Sequence, residues 1–173
     1  MAETDKHKNL WAPWRINYIR QLEKSEECFI CKYLAEPDDD DENFVLWRTE
    51  KSIVILNRFP YNNGHLLIAP KRHIAGFEQA EEAEMLEMVK LMRESQKALS
   101  TAIKPHGFNV GGNFGRCAGA GLPGHLHLHL VPRWDGDTNF INVCSDTDVI
   151  SQSLVELLGL LKQVSKEHNL PGF

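Results

Sequence analysis

The sequence lacks long hydrophobic runs: none of its apolar stretches approaches the ~20 residues that span a bilayer. Its first ten residues, MAETDKHKNL, hold no apolar core of the kind an export signal needs. A cytoplasmic location is therefore expected, with no membrane partner. Basic charge is not in excess either. Nineteen Lys and Arg stand against 24 Asp and Glu, and a net charge of -5 argues against a duplex-binding surface, so no nucleic-acid partner is expected. Cysteine is sparse, with Cys28, Cys31, Cys117 and Cys144 only. In a reducing compartment four thiols are not a disulfide framework. No internal repeat is evident, which excludes a solenoid, and the regular β-α-β alternation of a doubly wound fold is missing.

What is present is the composition of an ordinary globular chain, 42% hydrophobic and 25% charged, in a length that favours one domain. Residues 1–173 are read as a single domain: 1–42 as an N-terminal extension with a Cys-x-x-Cys and an acidic loop, 43–173 as the core. The acidic run EPDDDDEN, Glu36 to Asn43, reads as a solvated loop. Phe44–Trp47 and Ile53–Leu56 are β-rich runs around a Thr-Glu-Lys-Ser turn, and the turn signal RFPYNNG leads to a third strand at Leu66–Ala69. Apolar residues at Met85, Met88, Val89, Met92, Leu99 and Ile103 follow a helical period between Ala80 and Ile103, and Pro105 ends it. GFNVGGNFG reads as a strand entering a glycine-rich loop. A last helix is expected from Val149 to about His168. The order predicts an α+β domain: an antiparallel sheet of about five strands with a central and a C-terminal helix.

The stretch Gly124–Trp134, GHLHLHLVPRW, places His125, His127 and His129 on alternate positions between leucines. In a strand such residues share one face, about 6.5–7 Å apart, while Leu126, Leu128 and Leu130 anchor the other in a core. Imidazoles add little to a sheet and repel one another once protonated, so the face reads as a site. Two chemistries remain open from the residues alone: metal ligation, or nucleophilic and acid–base catalysis. Cys28-Phe29-Ile30-Cys31 is similarly ambiguous, since zinc pairs and redox pairs share that spacing. In GGNFGRCAGAG the glycines allow close backbone approach to an anion.

His125-Leu126-His127-Leu128-His129-Leu130-Val131 resembles the His-φ-His-φ-His-φ-φ signature of the histidine triad (HIT) superfamily. CFICK, NRFPYNNGHLLIAPKRH and GFNVGGNFG…GAG fit it in the expected order. LWAPWRINYI, PHGFNVG and HLVPRWDGDTNFI look most similar to the branch of diadenosine tetraphosphate phosphorylases and related dinucleoside polyphosphate hydrolases. The resemblance implies that His127 is the nucleophile, attacking an α-phosphorus to form a covalent nucleotidyl-imidazole that water or phosphate then releases. Its other ring nitrogen should donate to a carbonyl, which fixes the tautomer. His129 matches the histidine that contacts the phosphate and assists the leaving oxygen.

Further residues follow from the same resemblance. Asn113 matches an asparagine near the substrate phosphate or ribose, and Asn57 the polar residue that holds the ribose, with His65 nearby. Gly119 and Ala120 are candidates for backbone contacts to phosphate. Trp134 is a candidate for stacking on a base, or for packing a partner subunit or the interior. Gly121 stands where many members carry a glutamine, a departure that leans toward phosphorolysis. Cys28, Cys31, His73 and His125 match the four ligands of one closed, structural Zn²⁺ per chain. Adenine nucleotides or dinucleoside polyphosphates are the implied partners. A homodimer is implied too, for which the methionine-rich face of the central helix offers packing surface. Two alternatives stand beside this reading: a nucleotide-binding interaction protein with little turnover, and a metallohydrolase whose triad holds a catalytic metal.

Overall fold

A computed structural model of the chain describes residues 28–137 and 150–172. LWAPWRINYI, Cys144 and Val149 therefore lie outside the described residues. A short helix α1 (Phe29–Ala35) is followed by strands β1 (Val45–Arg48), β2 (Ser52–Leu56) and β3 (Leu66–Pro70). The long helix α2 (Glu82–Ile103), strands β4 (Gly107–Gly111) and β5 (Leu128–Arg133), and helix α3 (Leu154–Glu167) complete the order. The strands form one sheet in the order β1-β2-β3-β5-β4, with every neighbouring pair antiparallel. The expected α+β architecture is the one observed.

Both faces of the sheet centre are covered, which explains why SIVIL and LLIAP are continuous rather than alternating apolar runs. Val54, Leu56, Leu66, Ile68 and Leu130 face α2 and α3, packing on Met88, Leu91, Leu99, Leu157 and Leu161. Ile53, Ile55, Leu67 and Ala69 face the other way, under Ile30 of α1. The methionine-bearing face of α2 covers this sheet: Met88 is 1% exposed and Met92 packs against the same core, with Met85 half-buried. A stripe facing the sheet and a stripe facing a partner have the same period, so sequence alone did not separate them.

Helix ends are set by local chemistry. A reciprocal capping box between Glu81 and Glu84 starts α2 two residues after the expected Ala80. The Ser153 hydroxyl accepts the Glu156 amide and starts α3 at Leu154, later than the expected Val149. The acidic run turns through a 3₁₀ segment, Pro37–Asp39; Arg48 then binds Asp40 and Lys162 binds Asp41, so the loop is solvated yet tied at its middle to β1 and α3.

Candidate active site

The triad does not begin inside the sheet. β5 starts at Leu128, and its pairing with β3 runs Leu66↔Leu130, Leu67↔His129 and Ile68↔Leu128. On the other side β4 ends at Gly111, opposite His129, where the glycine-rich loop departs. His125 and His127 thus sit on an extended lead-in, held by the Leu126 amide donating to the Ile74 carbonyl at 2.6 Å. The alternation still works as expected. Leu126 and Leu130 are buried in the helix-side core, with Leu128 packed against it. The His127 and His129 rings meet edge to face, centroids 5.1 Å apart, while the His125 ring meets His73 at 5.0 Å.

His127 is buried, and its Nδ1–H donates to the His125 carbonyl at 2.8 Å. That bond assigns the proton to Nδ1 and leaves Nε2 with a lone pair. Burial lowers the pKa of His127, only partly opposed by the carbonyl contact. The ring is therefore neutral near pH 7, with its lone pair on Nε2.

His129 takes its protonation from further back. The Phe59 amide donates to Asn57 Oδ1 at 3.0 Å, so the Asn57 amide nitrogen faces His65 Nδ1, 3.2 Å away. The Tyr61 amide donates to the same Nδ1 at 3.1 Å. Two donors make Nδ1 an acceptor, so His65 carries its proton on Nε2 and donates it to His129 Nδ1 at 2.9 Å. His129 must then hold its proton on Nε2. That atom is buried and has no hydrogen-bond partner among the described residues. An unpaired buried donor costs about 1–3 kcal/mol, a cost that a phosphate oxygen would remove. Burial, together with the neighbouring histidines, lowers His65 to about 3 and His129 to about 4. Both rings are uncharged at neutral pH.

The second cluster lies beside the first. Cys28 caps α1 and receives the Cys31 amide on its sulfur at 3.4 Å, which turns both thiols the same way. Cys28 Sγ is 3.2 Å from His125 Nδ1, and Cys31 Sγ is 3.2 Å from His73 Nδ1 and 3.5 Å from His125 Nδ1. The four ligand atoms of Cys28, Cys31, His73 and His125 lie within 4.8 Å of one another. Bond lengths of about 2.0–2.3 Å in a tetrahedron give ligand edges of roughly 3.3–3.8 Å, so the set fits one metal ion. His125 Nε2–H donates to the Pro70 carbonyl at 2.9 Å, which presents Nδ1 to the cysteines, as the outer contact of a ligating histidine does. Burial, and then the hydrogen bond and charge of Cys28, push the Cys31 thiol up to about 11. A cation between the sulfurs reverses that balance.

Other expected residues fare differently. Asn113, two residues past the strand partner of His129, and Trp134, just past the far end of β5, are each half-buried. The amides of Gly119 and Ala120, expected as phosphate contacts, donate to the Arg116 and Gly115 carbonyls around the 3₁₀ turn Arg116–Ala118. His65, expected beside the ribose-holding residue, is fully buried, with both ring nitrogens bonded within the protein. Cys117 is the expected loop thiol.

Sequence reasoning missed Tyr61. Its half-exposed ring stacks on His129, centroids 5.7 Å and planes 25° apart, and lies 4.7 Å from His65. A tyrosine in the turn RFPYNNG, four positions before a histidine, was the available signal. Gly64 is required in the same turn: its φ is +78°, and a Cβ there would lie 2.8 Å from Ile103 Cδ1.

Residues 39–136 match the HIT domain. An AP-4-A phosphorylase of Mycobacterium tuberculosis is 34% identical over 167 residues, covering 93% of this chain and 86% of the relative. Among solved structures, a hypothetical histidine triad nucleotide-binding protein of Sulfolobus tokodaii is similar, with a TM-score of 0.65 and 26% identity over 81% of this chain and 93% of that one. A Zn-bound histidine triad family protein of Mycobacterium smegmatis shares the fold, with a TM-score of 0.64 and 23% identity over 80% of this chain and 95% of that one. The family match and the identity to the phosphorylase relative together show that the chain belongs to the HIT family.

Proposed function

We propose that the protein cleaves adenine dinucleoside polyphosphates, of the diadenosine tetraphosphate type, through a covalent nucleotidyl-His127 intermediate. The observation that carries this reading is the pairing of a nucleophilic lone pair on His127 Nε2 with an unpartnered donor on the adjoining His129 Nε2. His127 Nε2 forms the N–P bond as the P–O bond to the leaving nucleotide breaks. The leaving group departs as a polyphosphate anion, stable without full protonation, while His129 donates a hydrogen bond. The positive charge that develops on His127 is shared through Nδ1–H with the His125 carbonyl. Water or inorganic phosphate then attacks the phosphorus and restores the neutral ring. Asn113 and Trp134 are the proposed nucleotide contacts, whereas the Asn57 side chain is directed to the Phe59 amide and to His65. Similarity to the AP-4-A phosphorylase supports the substrate class.

Product analysis tests the reading. Incubation with diadenosine tetraphosphate should yield ATP plus ADP when phosphate is present, and ATP plus AMP when water is the acceptor. Dominance of ADP at millimolar phosphate is expected, given Gly121 in place of the family glutamine. Tight binding with no product under either condition would favour a nucleotide-binding interaction protein instead.

The cysteine–histidine set is proposed to hold a structural Zn²⁺. Two thiolates and two imidazoles are the ligand types zinc prefers, and four protein ligands leave no open position for catalysis. Bound there, the metal supplies a crosslink between α1, the segment after β3 and the triad lead-in. Among the described residues no helix is long and apolar enough to cross a membrane.

A homodimer is proposed on new grounds. β4 forms one edge of the sheet, and its Val110 is 54% exposed. Phe114, just beyond that strand, stacks on Phe77 at 5.3 Å with both rings exposed, and α2 exposes Leu86 and Val89. An edge strand unpaired among the described residues and bordered by apolar side chains invites a second copy. Sedimentation should show a dimer at micromolar concentration, and Val110→Lys should shift it toward monomer. A monomeric wild type would refute the proposal.

A further inference from the structure

His129 is useful to a phosphate only when its proton sits on Nε2, and an isolated imidazole does not enforce that choice. The enforcement comes from the turn between β2 and β3. The Asn57 amide nitrogen and the Tyr61 backbone amide converge on His65 Nδ1, at 3.2 and 3.1 Å. The orientation of Asn57 is itself fixed, because its oxygen already accepts the Phe59 amide. The turn is anchored across to the end of β5, where Asn62 donates to the Pro132 carbonyl and to Asp137, a carboxylate also held by Arg133.

We propose that Asn57 is a positioning residue: with the Tyr61 amide it locks His65 in its Nε2–H tautomer, and His65 thereby locks His129 as a donor toward the substrate phosphate. The role of His129 rests on the proposed function, whereas the lock is a property of the free protein. A flip of His65 to Nδ1–H would set three hydrogens against one another around Nδ1 and turn a lone pair toward His129. His129 would then carry its proton on Nδ1 and present a lone pair to the phosphate, converting an attraction into a repulsion. The Tyr61 ring covers both imidazoles and keeps water from substituting for either partner.

The test is ¹⁵N NMR of histidine-labelled full-length protein, joined to steady-state kinetics with diadenosine tetraphosphate. Wild type should show His65 and His129 both protonated at Nε2 without substrate. His65→Leu removes the donor, and His129 should become a tautomer mixture. Its kcat should fall about 10- to 100-fold, at or below the ~10²–10³ typical of deleting a transition-state donor outright, with KM changed less than threefold. Asn57→Leu should move both readouts in the same direction by less. His65→Gln, whose amide can still donate to His129 Nδ1, should restore the Nε2–H tautomer and most of kcat. A KM effect alone in Asn57→Leu would make it a ribose contact and not a lock. Wild-type His65 protonated at Nδ1, or His129 unchanged in His65→Leu, would overturn the proposal. Should no variant turn over this substrate, the tautomers still decide the lock, and only the proposed function falls.

Discussion

His127→Asn is expected to lose several orders of magnitude in kcat and to form no covalent adduct. The magnitude follows from the kind of step removed: deleting a nucleophile abolishes a route, whereas deleting a contact weakens one. The three triad histidines have similar intrinsic basicity, so position decides among them. His125 directs Nδ1 to the cysteines and Nε2 to the Pro70 carbonyl, which leaves it no nitrogen for attack. His129 accepts a hydrogen bond from His65 on Nδ1 and carries its own proton on Nε2, so it has a donor where a nucleophile needs a lone pair. Only His127 combines a neutral ring with a free Nε2. His129→Asn should be milder, costing on the order of 10²–10⁴-fold. Rapid quenching with labelled diadenosine tetraphosphate should trap an acid-labile nucleotidyl adduct on wild type. An equal adduct on His127→Asn would remove His127 from the role. Nucleotide affinity should survive the substitution, because base and ribose are held elsewhere.

Much of this arrangement was legible in the sequence, for identifiable reasons. β2 and β3 announce themselves as short apolar runs between turn signals, and α2 by a 22-residue amphipathic period. The two metal-competent cysteines and the triad are each local patterns, so neither needed the fold to be noticed. What escaped depends on contacts distant in sequence. Whether His125 and His127 lie within a ladder depends on where β4 ends, and no local property of HLHLH encodes that. The loop amides of Gly119 and Ala120 looked available because glycine permits an anion nest. A tight turn consumed them, and the same composition serves both outcomes. The direction of proton placement across Tyr61, His65 and His129 was invisible, because it joins residues 64 positions apart through a single 2.9 Å bond.

Loss of the metal cluster should cost both stability and turnover, although none of its four ligands touches the reacting atoms in the proposed mechanism. Purified protein should hold close to one zinc per chain, and Cys28→Ser/Cys31→Ser should hold none. Metal binding energy is folding energy when the site is absent from the unfolded chain. Even about 3 kcal/mol realised in this way corresponds to roughly 6–12 °C in Tm for a chain of this size. The effect on turnover arises from the backbone. The carbonyl that orients His127 belongs to His125, itself a proposed ligand, and the intervening Leu126 amide is held by Ile74, next to the proposed ligand His73. This lead-in has no ladder partner, so the metal would be one of its few anchors. The double cysteine variant should therefore lose about tenfold in kcat, with His127 Nδ1 less protected against exchange. His127→Ala should retain its zinc and its Tm, since its side chain lies outside the ligand set. Full zinc content in the double cysteine variant, or zinc lost from His127→Ala, would refute the ligand assignment. Unchanged kcat in a zinc-free variant would refute the coupling through His125 while leaving the metal site intact.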